Sequence, residues 1–359
     1  MSTVAVLGAG AGGLSAVVEL SRAGHDLRLW NRNPATLQPY LDAGGVRHEG
    51  VLGDGVAVPA LMTTDLAEAV ADADVAVVCL PALAHHAVFT DLAAADVRLP
   101  VILNPGHTGG ALHLRALFLG TGVSPPPVAE LSTLTYVART APDALLRTTG
   151  RAEAVRGACL PGGAAALDWA MRLFPSVFAA TDVMATSLSN VNLVLHPPGA
   201  VLAAAWVEAT NGDFRFYVDA ITPAVARVLV SLDTERRAVA HAFGHELPTM
   251  IEEMAAVGTV DRQAAARGDV VGAIRGGIAN QAIRAPASLE HRYYREDLPY
   301  ALLPFTVLAD IAGVAVGTAK ALLNLGCVAA GMDPSRGLDR AGLGLSGCDL
   351  AGVLALVRD

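Results

Sequence analysis

At roughly 150 residues per domain, a chain of 359 residues is long enough for two domains that each bury a core. Hydrophobic residues make up 53% and charged residues 16%, against about 25% charged in an average soluble domain. A large core or an oligomeric surface, with a homodimer as one arrangement, is expected to cover the excess. The net charge is −9 and no run of basic residues occurs, which excludes the footprint that a phosphate backbone requires and with it nucleic acid as an expected partner.

The first half alternates short β-branched runs with Ala-rich stretches. Strands are expected at residues 4–7, 26–30, 75–80 and 101–103, each followed by a Gly, Pro or Asn break and then a helix. Between the second and third, residues 46–64 contain Gly53-Asp54-Gly55, a hairpin-turn signal. Further strands are expected at 128–131, 144–147 and 177–180. Strand-helix alternation predicts an α/β fold, a Rossmann-type doubly wound sheet covered on both faces. From about Val183 the pattern changes to long Ala- and Leu-rich runs, so the second domain is expected to be mostly α-helical. The expected division is between residues 1–181 and residues 182–359.

Thr222-Pro223 is expected to open a helix carrying Arg227, Glu235 and Arg236, and a last helix is expected over residues 345–357. A mean hydropathy of +0.46 raises the question of a membrane span. The worst case, residues 298–319, is interrupted by Pro299 and Pro304 and reads as buried helices, with no membrane expected. The first residues lack the features of a signal peptide, so a cytoplasmic protein is expected. The cysteines at 79, 159, 327 and 348 show no paired spacing and are expected to be reduced.

Gly8-Ala9-Gly10-Ala11-Gly12-Gly13 directly follows the first strand and opens a helix. Gly8 permits the tight turn, Gly10 lets a pyrophosphate approach the backbone, and Gly13 lets helix and strand pack closely. The N–H groups around Ala11 and Gly12, at the positive end of the helix, suit phosphates. Pro81 lies in the loop after a parallel strand, the usual edge of a cofactor cleft. At the end of the second strand an Asp or Glu would select NAD. This chain instead has Asn31 and Arg32, which can donate to and clamp a 2′-phosphate, so NADP is expected in preference to NAD.

Two strings stand out in the second half. In Ser187-Leu188-Ser189-Asn190-Val191-Asn192-Leu193-Val194-Leu195-His196-Pro197-Pro198 a helix is expected to end at His196, because the prolines disfavour its continuation. There the helix terminus would favour a protonated imidazole fit for general acid/base work. A buried histidine that merely terminates a helix is the competing reading. The second string, His291-Arg292-Tyr293-Tyr294-Arg295-Glu296-Asp297, packs charge into an apolar region. Arg292 offers a planar fork for a carboxylate, and Asp297 can accept from an imidazole N–H and fix its tautomer, although a structural ion-pair cluster would look similar. His241 and His245 lack a third partner for zinc, and no metal site is expected.

Together with Ile102-Leu103-Asn104-Pro105-Gly106-His107-Thr108-Gly109-Gly110 and Phe216-Tyr217-Val218-Asp219-Ala220-Ile221-Thr222-Pro223, these strings resemble the opine dehydrogenase family of the octopine and nopaline type. The resemblance implies a dinucleotide domain followed by a helical domain. It also implies reductive condensation of an L-amino acid with a 2-oxo acid through hydride reduction of an imine. By position it implies that His196 is the catalytic acid/base, Asp297 its partner, Arg292 the holder of the oxo-acid carboxylate and Glu130 a reader of the amino substrate. Asn31 departs from the acid that NAD-using relatives carry.

The rival readings are a ketopantoate-reductase-like or hydroxyacid dehydrogenase and a non-catalytic NADPH-binding sensor. The first needs a lysine early in the helical domain, and the chain's single lysine is Lys320.

Overall fold

A computed structural model describes residues 1–358. They form two compact units, one made of Met1–Gly106 and Gly110–Val183, the other of His107–Gly109 and the chain from Met184 onward.

The first unit is built on an eight-stranded sheet. Its order is Val177–Ala179, Val155–Cys159, Val128–Leu131, Val101–Leu103, Val75–Val78, Thr3–Leu7, Asp26–Trp30 and Leu61–Thr63. Neighbours are parallel except Val155–Cys159 against Val128–Leu131. Central strands buried on both faces need no polar alternation, and Val4, Ala5, Val6 and Leu7 are all fully buried. The strand order reverses at Thr3–Leu7, which pairs with Asp26–Trp30 on one side and Val75–Val78 on the other. Such a reversal opens a crevice beyond the carboxyl ends of the strands, where ligands of open α/β sheets bind.

A second sheet has the order Gly55–Ala57, Val46–Gly50, Leu146–Arg151 and Tyr136–Thr140. The Gly53-Asp54-Gly55 hairpin forms, with Val46–Gly50 antiparallel to Gly55–Ala57, and Asp54 Oδ1 accepts from the Gly50 N–H at 3.2 Å. It belongs to this separate sheet, because Val46–Gly50 pairs with Leu146–Arg151 across a long stretch of chain. The strand expected at 144–147 lies two residues later. Tyr136–Thr140 and Val155–Cys159 were not expected, being short runs broken by arginine and glycine.

The second unit is helical, as the change of pattern near Val183 predicts. Its helix Asn192–Leu202 corrects one expectation, since it passes through Pro197 and Pro198 and leaves His196 inside the helix. Leu193 to Ala200 are all buried, and that packing outweighs the pre-proline preference and the two lost N–H donors. The macrodipole argument for His196 therefore does not apply. The last helix, Leu350–Val357, starts later than expected because Asp349 caps it by accepting from the Gly352 N–H.

Residues 298–319 resolve into a wide π-type turn at Leu298–Leu302, the helix Leu303–Ala312 and the start of Gly317–Ala329. Among the described residues no helix is long and apolar enough to cross a membrane. Helix Pro223–Ala242 organises this unit. Thr222 Oγ1 caps it, and Glu235 accepts from the Thr318 and Ala319 N–H groups at 2.7 and 2.9 Å, capping Gly317–Ala329 in turn.

Candidate active site

The glycine loop sits at the carboxyl end of Thr3–Leu7, against Cys79 at the end of Val75–Val78, where the Cys79 N–H donates to the Leu7 carbonyl at 2.8 Å. Gly8 has φ +122°, and a Cβ there would stand 2.6 Å from the Cys79 carbonyl oxygen. A Cβ on Gly13 would overlap the Gly8 carbonyl, so only glycine lets helix Ala11–Arg22 pack this closely. Gly10 is different, because a Cβ on it would meet nothing within 4 Å. It caps the helix without any side-chain hydrogen bond, leaving the N–H groups of the first turn, including those of half-buried Ala11 and Gly12, to whatever approaches from outside. An open backbone at an uncapped helix N-terminus fits a dinucleotide pyrophosphate.

Asn31 ties the second strand to this loop. Its Oδ1 accepts from the Ala9 N–H at 3.1 Å and its Nδ2 donates to the Asn33 carbonyl at 3.1 Å. Exposed Arg32 lines a cleft with Trp30, Asn31, Leu80, Ala84 and Asp91. Pro81 is the residue just before helix Ala82–Ala94, on the same rim of the sheet. His85 and His86 follow it. His85 is buried against the Phe89 ring at 4.7 Å, and His86 stacks on His113, which burial and then the charge of His86 push down to about 4.

Glu130, which the resemblance assigns to the amino substrate, is engaged by the backbone. It is completely buried on strand Val128–Leu131, and its Oε2 accepts from the Ala111 N–H at 2.8 Å, anchoring the start of helix Gly110–Gly120. That contact engages one of its two carboxylate oxygens.

In the second unit the two strings meet. His196 Nδ1 lies 2.7 Å from Asp297 Oδ2, and both residues are buried. A carboxylate only accepts, so Nδ1 carries the hydrogen and Nε2 of the neutral ring is an acceptor. Nε2 lies 2.9 Å from the Tyr217 hydroxyl, which is 3.1 Å from the Tyr293 hydroxyl. Arg292 faces Glu296 one helical turn on, with Nε 3.1 Å from Oε2. Burial opposes its charge, but Glu296 and then Asp297 outweigh that and hold the guanidinium above its usual range. Its side chain stays half-exposed, so it remains a fixed cation open to a ligand carboxylate. His291 is pushed below the usual histidine range by burial and by the charges of Arg292 and His196, only partly offset by Asp297.

His107, to which the sequence gives no chemical role, has φ +58° and brings Nε2 to 3.8 Å from Glu296 Oε1. Its segment is held by Gly109 N–H donating to Ser187 Oγ and by Asn190 Nδ2 donating to Thr108 Oγ1, each at 3.0 Å. Tyr217, Tyr293 and Glu296 stand in the quoted strings, yet reading the strings assigns none of them a role. The available signal was polar atoms on residues inside apolar, charge-bearing segments. His241 pairs with Glu246, and His245 lies past the end of helix Pro223–Ala242, so the two do not share a helical face. Among the described residues no group of three or more His, Cys, Asp or Glu could hold a metal. Lys320 is exposed and paired with Asp310.

The family model for the α-helical domain of NAD/NADP octopine/nopaline dehydrogenase matches residues 179–330, and that for ketopantoate reductase PanE/ApbA matches residues 4–102. An opine dehydrogenase of Arthrobacter sp. (strain 1C) is 32% identical over 99% of both chains. The structure of octopine dehydrogenase with NADH and L-arginine superposes with a TM-score of 0.76 at 19% identity, covering 99% of this chain and 98% of that one. Yersinopine dehydrogenase with NADP+ gives 0.74 at 18%, covering 99% and 97%. A glycine-loop sheet followed by a helical unit of this kind defines an oxidoreductase that uses a nicotinamide cofactor. The chain belongs to the opine dehydrogenase family.

Proposed function

We propose that this protein condenses an L-amino acid with a 2-oxo acid reductively, acting on a CH–NH group with NADP in preference to NAD. The observation that carries the reading is the buried hydrogen bond between His196 and Asp297 in a chain of this family. A nicotinamide held by the glycine loop would supply the hydride that reduces the imine. His196 is the general acid/base, giving a proton as the carbinolamine loses water. Asp297 fixes the tautomer that leaves Nε2 for chemistry. Arg292 holds a substrate carboxylate by its planar fork and so orients the reacting carbon. The loop Gly8, Gly10, Ala11, Gly12, Gly13, together with Asn31, Arg32 and Pro81, binds the dinucleotide.

An opine dehydrogenase consumes NADPH only when an amino acid and an oxo acid are both present, since the acceptor is their imine. Incubation with pyruvate, glyoxylate, oxaloacetate or 2-oxoglutarate against a panel of L-amino acids is expected to show oxidation in pairs alone. The product is a secondary amine dicarboxylate visible by mass. Robust turnover of an oxo acid without an amine would overturn the reading in favour of a hydroxyacid dehydrogenase.

Cofactor preference is testable separately. NADPH is expected to bind more tightly than NADH. Loss of one charge-assisted contact in Arg32→Ala should weaken NADPH by roughly 10- to 100-fold and leave NADH almost unchanged. Equal wild-type affinities for the two cofactors, measured by fluorescence titration, would defeat this assignment.

A further inference from the structure

Both ring nitrogens of His196 are engaged by the protein itself, Nδ1 by Asp297 and Nε2 by Tyr217, so a proton leaving or reaching Nε2 meets the Tyr217 hydroxyl first. The Tyr217 hydroxyl in turn lies 3.1 Å from the Tyr293 hydroxyl. We propose that Tyr217 and Tyr293 form a two-hydroxyl proton wire that continues the Asp297–His196 pair and ends at Tyr293, whose O–H meets the substrate. The inference rests on the opine dehydrogenase reading for the identity of that substrate.

The chemistry of a hydroxyl makes the wire reversible, because each O–H both donates and accepts. With His196 neutral, Tyr293 donates to Tyr217 and Tyr217 donates to Nε2. With Nε2 protonated, the same contacts run the other way and the Tyr293 O–H is directed beyond the chain of bonds. Reversal requires only rotation about C–O bonds, and no ring has to move.

In the condensing direction the step balances. The Nε2–H bond breaks as an O–H forms on Tyr217, the Tyr217 proton passes to Tyr293, and the Tyr293 proton passes to the carbinolamine oxygen. That oxygen leaves as water with the C–O electron pair while the nitrogen lone pair closes C=N. Both tyrosines are neutral before and after, and His196 ends neutral.

The surroundings fix the rings. The Tyr293 ring lies 4.2 Å from the His196 ring at 31°, and Phe216 packs on Tyr217 at 5.0 Å and on Tyr293 at 4.6 Å. Tyr217 sits in a π-type turn, Phe216–Ala220, clamped by Arg215, whose backbone N–H and guanidinium both reach Asp219. A second such turn, Leu298–Leu302, directly follows Asp297. Such turns are uncommon and concentrate at functional sites. Tyr293 is also the neighbour in sequence of Arg292, the proposed carboxylate clamp.

The test uses the full chain with the best substrate pair from the screen. Tyr217→Phe and Tyr293→Phe are each expected to lower kcat by about 10²-fold, the low end of general acid/base contributions, with KM for NADPH within about twofold of wild type. The double variant is expected to be no slower than either single one, because both interrupt one path. Wild-type kcat in either single variant, or a double loss equal to the product of the two, overturns the wire. A second readout needs no turnover: the ¹⁵N resonance of His196 Nε2 should move in Tyr217→Phe while that of Nδ1 stays. An unmoved Nε2 resonance overturns the wire whatever the substrate, and a moved one supports it. Absence of turnover by the wild type with every pair sinks only the opine reading.

Discussion

Asp297→Asn is expected to lower turnover on the order of 10³-fold while NADPH affinity stays within about twofold of wild type. The substitution keeps the shape of a side chain that is 3% exposed, so packing is not the cause. What changes is the direction of one hydrogen bond. A carboxylate can only accept from Nδ1–H, whereas an amide can also turn its Nδ2 towards the ring and hold the tautomer with the hydrogen on Nε2. In that tautomer Nε2 has no lone pair to take up the proton that it must later give. The harm falls on the chemical step, because the glycine loop proposed to take the cofactor belongs to a different part of the chain. His196→Ala should be at least as damaging. Turnover near wild type in either variant, with kcat and the NADPH dissociation constant measured separately, would reduce the pair to a buried structural contact.

The parts of this protein legible in its sequence are those set by local backbone chemistry. Gly8 needs its positive φ, and Gly13 needs to be without a Cβ, within a few residues of each other and of the strand they follow. The apolar central strands announce burial on both faces. Parts that depend on distant pairing were not legible by spacing. His196 and Asp297 are 101 residues apart, and they were joined by family resemblance rather than by any periodicity.

The same limit explains the misreadings. Pro197 and Pro198 carry a local signal to stop a helix, and the burial of Leu193 to Ala200 that overrides it is tertiary. Nothing local reveals that Glu130 caps helix Gly110–Gly120. Tyr217 acquires meaning only from the His196 nitrogen that its hydroxyl faces, and Tyr293 from the Tyr217 hydroxyl. The second sheet escaped notice because Val46–Gly50 finds its partner in Leu146–Arg151.

Arg236 shows the same limit in a residue whose loss should cost the fold directly. It is completely buried, and its guanidinium reaches three acceptors: Asp233 Oδ1 at 2.8 Å, the Leu188 carbonyl at 2.9 Å and the Pro248 carbonyl at 2.6 Å. Asp233 Oδ2 in turn accepts from the Met250 N–H at 2.9 Å. Removing one partner strands a buried charge and two carbonyls, so Arg236→Met is expected to destabilise the second unit by about 3–5 kcal/mol. For a unit of this size that corresponds to a fall in Tm of roughly 6–20 °C. Arg236→Lys should not rescue it, because an ammonium cannot span acceptors arranged around a planar fork.

Leu188 lies shortly before helix Asn192–Leu202, so loosening Arg236 should also blur the position of His196 and lower kcat. A double variant separates the two effects. Arg236→Met with Asp233→Leu removes the stranded charge and should recover much of the Tm, though not all, since the Met250 N–H loses its acceptor. Activity should stay low, because the Leu188 carbonyl is still without its donor. A Tm within about 2 °C of wild type in Arg236→Met, a change of under about 1 kcal/mol, would mean that the buried guanidinium is replaceable and that the Asn192–Leu202 helix is held by its apolar packing alone.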